Sequence, residues 1–515
     1  MTETEVTYSR SESYSRRGRR VHQERQPLSF NEDFQKNIQK TKIIPSLLWS
    51  VILSLLSVAN PFLTSFATNM QSQDLYAGFA MHAGQNPYGQ FFGTSGVLYY
   101  LLVYVGSAFG TTVGLVFLQW LALFVAGIYF YKICNYISQS SRVAVSLQHW
   151  FYLFIIALNS GGVQASLFAL PFVLAGLWFV LRYVERATRD EGFILYGIYA
   201  AIAFMIYPKS VLLWVVSAVV LTVYNVAQRQ KARGVYQALA TIFGFLLIVY
   251  SVGYYTFVEQ VLGAAIQQTF FYEFSLKISD NRLVWTLIQV SLFLLLSGFL
   301  KNLFYLLLSM GQGKLVYFKS LIVVAFVLQL LFLVAGGRFE QSHLVLLLPY
   351  GFIMALLGLS SITENEALLA KKMSHYSYLQ SHIYLPLLGL LLLLLVKPAV
   401  AYFIVSDVLK DRQEVAYYIK EHSQSSDKIY AWDDSAQIYL QSERLSAGEI
   451  LTASPYLDTK TNQDGLAFDL NKNEARYIVV NTQLPLFDSI QSNLEKNYEE
   501  VELETRQLAV YEKKE

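Results

Sequence analysis

The run VLLWVVSAVVLTVYNVAQRQKARGVYQALATIFGFLLIVYSVGYYTF, Val211 to Phe257, decides the fold class. It holds two apolar stretches, Val211 to Val226 and Ala238 to Phe257, each near the length of about 20 residues with which an α-helix crosses a hydrocarbon core. Between them stand Arg229, Lys231 and Arg233, cations of the kind that mark a cytoplasmic connection. The same alternation extends in both directions. Further apolar windows lie at Ile44 to Ala67, Thr111 to Cys134, Val143 to Leu158, Val163 to Leu181 and Phe193 to Tyr207 on the N-terminal side. Leu283 to Leu300, Ser320 to Ala335, Leu344 to Leu359 and Leu385 to Val405 follow on the C-terminal side, giving eleven expected spans.

Composition agrees with this reading. Of the 515 residues 54% are hydrophobic and only 15% charged, against roughly 25% charged in soluble proteins. The mean hydropathy of +0.37 averages very apolar segments with a polar N-terminal tail and a polar C-terminal block. A net charge of +2 argues against nucleic acid as a partner. The single cysteine, Cys134, excludes an intramolecular disulfide and a multi-cysteine metal site.

With a cytoplasmic N-terminus, the connections holding Arg142, then Arg182, Arg186 and Arg189, then Arg229, Lys231 and Arg233, then Lys301, Lys314 and Lys319, then Lys371 and Lys372 all fall inside. The first external loop, Thr68 to Gly110, contains no Lys or Arg. An odd number of spans puts the C-terminus outside. The chain thus divides into a basic tail over residues 1–42, expected to be disordered and able to meet anionic headgroups, a transmembrane domain over 43–405 with its external loop 68–110, and a C-terminal domain over 406–515. The first 30 residues lack the apolar core of a signal peptide, so the tail is expected to stay on the mature protein. Within the external loop Val97 to Phe109 is apolar but too short to cross, and reads as an interfacial or re-entrant helix. In the last block, helix-like Arg412 to Glu421 and strand-like Lys428 to Asp433 open an alternation that indicates a small α/β domain.

Few residues in the apolar part can carry chemistry. Asp74 is the only acid between Asp33 and Glu185 and lies just past the first span, so a desolvated carboxylate there is a candidate general base. The competing reading is a helix cap or a solvated loop residue. Lys209, after Tyr207 and Pro208 at the outer boundary, can hold a lipid phosphate or simply snorkel to the interface. In AGGRFEQSHLVLLLPY, Gly336 and Gly337 allow a turn that presents Arg338 to an anion, with His343 close behind. Asp433 and Asp434 read as turn or cap residues. No P-loop, HExxH or GxSxG motif in a fitting context is present, nor paired mid-span charges of an ion-coupled carrier. A divalent metal is left open: beside Asp74, the only acids in the external loops between spans are Glu259, Glu273, Asp280 and Glu340.

Three features together resemble the GT-C superfamily of membrane glycosyltransferases, in particular the family 39-like group of protein O-mannosyltransferases and lipid A aminoarabinose transferases. GQNPYGQFFGTSGVLYYLL (Gly84 to Leu102) is similar to that group's loop motif, GGRFEQSHLVLLLP (Gly336 to Pro349) to its late G-G-R-F motif, and KIYAWDDSAQIYLQSER to a motif of its external tail. The resemblance implies a polytopic helical fold with a small extracytoplasmic α/β domain in the cytoplasmic membrane. It further implies inverting transfer of a sugar from a polyprenyl-phosphate carrier to a cell-surface glycan or protein. Asp74 would be the base, Lys209, Arg338 and His343 would face the donor, and Tyr88 and Tyr100 of the matched loop would contact substrate. No cofactor is implied beyond the lipid-linked donor. Counting back from the shared Pro-Tyr, the family's acidic pair falls on Met70 and Gln71, so Asp74 stands about one helical turn late. The family's H-K-P-P becomes Thr94, Ser95, Gly96 and Val97, which loses a cation. A second reading is a non-catalytic membrane protein that binds polyprenyl lipid or a partner glycosyltransferase.

Overall fold

The computed structural model describes residues 41–159, 162–276, 282–313, 315–336, 339–361 and 366–514. Nearly all of the basic tail and Arg338 lie outside the described residues. The membrane part is built from helices α1 (Ile43–Leu55), α2 (Asn69–His82), α3 (Val97–Gly106), α4 (Val113–Ser138), α5 (Ser141–Asn159), α6 (Ala165–Val184), α7 (Gly192–Ile206), α8 (Leu212–Ala227) and α9 (Lys231–Val258). After these come α10 (Arg282–Ser297), α11 (Phe299–Leu308), α12 (Val316–Ala335), α13 (Leu348–Ser361) and α14 (Lys397–His422).

Among the described residues eight helices are long and apolar enough to cross a membrane, and α10 with α11, bent by 72°, make a ninth if counted as one span. Two of the eleven expected spans are shorter. The first stops at Leu55, where Asn60 caps the freed backbone by donating to the Leu55 carbonyl at 2.9 Å and Pro61 prevents a restart. The fifth, α7, has 15 residues and ends at Ile206, because Pro208 drives Tyr207 into extended backbone.

Apolarity on every side puts α6 at the centre of the bundle, whereas α9 turns most of its side chains outward. Helices α7 and α9 approach backbone to backbone: a Cβ at Gly197 would stand 2.0 Å from the Thr241 carbonyl oxygen, and one at Gly244 2.1 Å from that of Ile194.

Helix α14 runs without a break from the apolar segment into the polar C-terminal block, so the change of composition at Asp407 falls inside a helix. Beyond it a five-stranded sheet forms from β1 (Lys428–Trp432), β2 (Leu445–Ser446), β3 (Ala475–Asn481), β4 (Tyr498–Val501) and β5 (Leu508–Lys513). The order is β2-β1-β3-β5-β4, with β1 parallel to β2 and β3, and β5 antiparallel to β3 and β4. Asp433 and Asp434 stand in the bend after β1, and they do more than turn the chain. Arg412 of α14 holds Asp433 through Nε at 2.6 Å and Nη2 at 3.0 Å and also reaches Asp434, while Asn481 donates to Asp433 at 2.9 Å. This buried pair ties the helix to the sheet, with its remaining lone pairs satisfied as a buried ion pair requires.

Candidate active site

Helix α2 starts at Thr68, whose N–H donates to Gln71 Oε1 at 3.0 Å. Gln71 in turn reaches the carbonyl of Gly162, fixing the start of α2 against the turn that precedes α6. Met70 and Asp74, four residues apart, fall on one face. That face borders a cavity of about 490 Å³ whose walls also carry Gln164, Tyr207, Glu273, Glu340, His343 and Tyr456. Asp74 is therefore neither an N-cap nor a loop residue. It sits on the second turn of the helix, and the one-turn offset from the family's acidic pair keeps the acid on the Met70 side.

The electrostatics of the cavity centre on two carboxyls. Burial pushes Asp74 well above the usual carboxylate range, with the nearby Tyr99 hydroxyl opposing the shift and the charge of Glu340 adding to it. Burial raises Glu340 as well, against hydrogen bonds from Ser342 (3.1 Å) and Thr68 (3.3 Å). Glu340 also accepts from Gln164 at 3.5 Å, and its own N–H faces His343 Nδ1 at 3.4 Å. His343 lies against the Tyr207 ring, centroids 6.0 Å apart.

Lys209 lies beside this cavity, but it is already paired. Its ammonium stands 2.7 Å from Glu273 Oε1, with both side chains almost wholly buried. An apolar groove of about 560 Å³ adjoins, lined by Gly96, Phe204, Met205 and Pro208 on one side and by residues of α9 on the other. Gly96 is required where the loop meets the end of α7, since a Cβ there would stand 2.1 Å from the Met205 carbonyl oxygen.

Asp74, Lys209 and His343 are thus brought together, whereas Tyr88 and Tyr100 are packed behind the wall. Tyr88 is buried, donates to the Ser95 carbonyl at 2.7 Å, and meets the Tyr100 ring edge-on at 5.5 Å. Both shape the loop that carries Thr94 and Ser95 to the cavity, and neither lines the cavity itself. Glu340, Gln164, Tyr99 and Tyr456 were not singled out for the site from sequence. Glu340 and Glu273 were legible only as external acids. Among the described residues no three of His, Cys, Asp and Glu gather as a metal site.

The cavity is roofed by the C-terminal domain, which contributes Ser454, Pro455 and Tyr456. A helical membrane bundle with a buried carboxylate under such a roof can be compared with known structures. ArnT from Cupriavidus metallidurans bound to undecaprenyl phosphate superposes with a TM-score of 0.53 at 11% identity, over 91% of this chain and 96% of that one. The apo state of the same protein gives 0.52 with the same coverage. An oligosaccharyltransferase of Archaeoglobus fulgidus follows at 0.43 and 12% identity, over 93% of this chain and 75% of that one. The chain shares the fold of ArnT. By sequence it belongs to the family described as putative competence-induced protein Ccs4, with residues 31–406 matching the N-terminal domain and 409–514 the C-terminal domain of that family. No curated protein matches the sequence.

Proposed function

We propose that the protein is a glycosyltransferase of the cytoplasmic membrane that moves a sugar from a polyprenyl-phosphate carrier to a cell-surface glycan or protein on the outer face. The observation that carries this reading is the buried Asp74 carboxyl in the cavity under the C-terminal domain of an ArnT-like fold. Asp74 takes the proton of the acceptor hydroxyl as the new bond from that oxygen to the anomeric carbon forms. The bond from that carbon to the phosphate oxygen breaks with inversion, and its electron pair leaves on the lipid phosphate. One base and no nucleophile suffice for this single displacement.

The adjoining apolar groove suits the prenyl chain, and Lys209 suits the phosphate once the phosphate takes the place of Glu273. The N-terminus is then cytoplasmic, and the C-terminal domain over 406–515 is extracytoplasmic, above the domain over 43–405.

The test is transfer of radiolabelled sugar from polyprenyl-phosphate donors to membrane acceptors by the purified protein and its Asp74→Asn variant. Loss of transfer by about 10²-fold or more at unchanged expression is expected. Full activity in the variant removes Asp74 from the mechanism. Donor binding without transfer by either protein favours a non-catalytic lipid-binding role.

A further inference from the structure

Helix α6 begins at the candidate active site, where Gln164, Ala165 and Ser166 line the cavity, and runs 20 residues, about 30 Å, away from it. Helix α7 returns over 15 residues, about 22 Å, toward Tyr207. At the far end of this hairpin, the connections α6–α7 and α8–α9 enclose a second cavity of about 240 Å³. Three guanidinium groups line it, those of Arg186, Arg189 and Arg233, together with Thr188, Asp190 and Glu191.

The ways these charges are used differ. Arg233 is held by Asp190 through Nε at 3.0 and 2.9 Å, and Gln237 donates to the same carboxylate at 2.7 Å, so Asp190 is committed to shaping the pocket. Arg186 and Arg189 make no side-chain bond among the described residues, and Glu191 is the one acid of the lining left to face them. The Arg186 backbone is left-handed, φ +59°, a conformation that glycine or asparagine usually fills just past a helix end. Thr188, between the two arginines, also lines the cavity, and its hydroxyl has no hydrogen-bond partner among the described residues.

We infer that this cavity binds a phosphate group at the membrane end opposite the candidate active site, with Arg186 and Arg189 as the cations and Thr188 as the hydroxyl donor. Planar guanidinium groups and a hydroxyl are the donors that phosphate oxygens need. Cationic flanks that only fix orientation require a count of charges. They require neither a concavity nor an unpartnered donor inside it. The phosphate can belong to an anionic lipid headgroup or be free, and basic pockets between membrane helices take the former.

Native mass spectrometry of the full-length, detergent-purified protein, titrated with phosphatidylglycerol, phosphatidylcholine or inorganic phosphate, tests the assignment. The wild type is expected to retain phosphatidylglycerol over phosphatidylcholine by about tenfold, and the Arg186→Gln/Arg189→Gln variant to lose that preference. Arg229→Gln/Lys231→Gln removes the same charge from the same membrane end outside the pocket and is expected to keep it. Displacement of the lipid by inorganic phosphate assigns phosphate alone as the ligand, and persistence of the lipid assigns the headgroup. Thr188→Val, which changes no charge, is expected to weaken retention as well and serves if the double variant fails to fold. Equal loss in both double variants, or no preference in the wild type, overturns the proposal.

Discussion

As the proposed base Asp74 can act only when ionised, and its carboxyl is raised first by burial and further by the charge of Glu340. The rate of transfer is therefore expected to fall as pH drops through a value well above the usual carboxylate range. Glu340→Gln removes the added charge, so the acidic limb should move to lower pH, which a pH profile of kcat/KM reads directly. An unmoved limb would place the titration elsewhere. At Lys209 the expectation runs against intuition. Glu273→Gln deletes a carboxylate yet should tighten binding of polyprenyl phosphate by about tenfold, because it leaves a buried ammonium whose best new partner is the lipid phosphate. Equilibrium binding of the labelled lipid checks this, and weaker binding would show that the phosphate sits away from Lys209. Sequence singled out Asp74 because no other acid stands near it in the chain. It missed the roles of Glu273 and Glu340, since pairing across elements leaves no trace in spacing. It also left open which way the Tyr88 and Tyr100 rings point, because a loop motif fixes position along the chain and not the direction of a ring.

Helix α7 leads directly into Tyr207 and Lys209, and its register depends on the glycine contact with α9. Gly244→Val should cost about 2 kcal/mol and lower both the melting temperature and transfer activity, since the opposing atom is a carbonyl oxygen that cannot move aside. Gly253→Ala, on the same helix with nothing within 4 Å of the added Cβ, is the matched change that should leave the melting temperature alone. A second device joins loop, bundle and sheet. Gln268, in the π-helical turn Gln267–Tyr272, accepts from the Gly93 N–H at 3.0 Å and donates to the Tyr88 carbonyl at 3.1 Å and to Glu449 at 2.9 Å. Burial pushes Glu449 up to about 7. A folded-state value raised in this way gives stability that is complete below the ordinary glutamate range and is lost as pH rises through about 7. The melting temperature should accordingly decline between those limits in the wild type and decline less in Glu449→Gln. The apolar windows foretold almost every helix of the bundle. They gave no sign of the bend between α10 and α11, which turns on Gly298 at φ +81°, a single residue inside an apolar run.

In the whole molecule the C-terminal domain and helix α2 form one wall of the candidate site. Asn69 donates to the Ser454 carbonyl at 2.8 Å, Gln73 to Thr452 Oγ1 at 3.0 Å, and the N–H of Ala436 to the Ser72 hydroxyl at 2.9 Å. These contacts join residues more than 350 positions apart, which is why sequence supplied the alternation of strands and helices in the domain but not its place over the cavity. The helix that bears Asp74 is thus also the docking surface for the roof that brings Tyr456 to the cavity. If that roof excludes water from the reacting centre, loosening it should harm transfer without touching the base. Asn69→Ala with Gln73→Ala removes two hydrogen bonds of about 1 kcal/mol each. Transfer is expected to fall by about tenfold, with faster proteolytic cleavage in the C-terminal domain and unchanged protection of the membrane helices. Faster cleavage with full transfer would mean that the roof is not needed to complete the site.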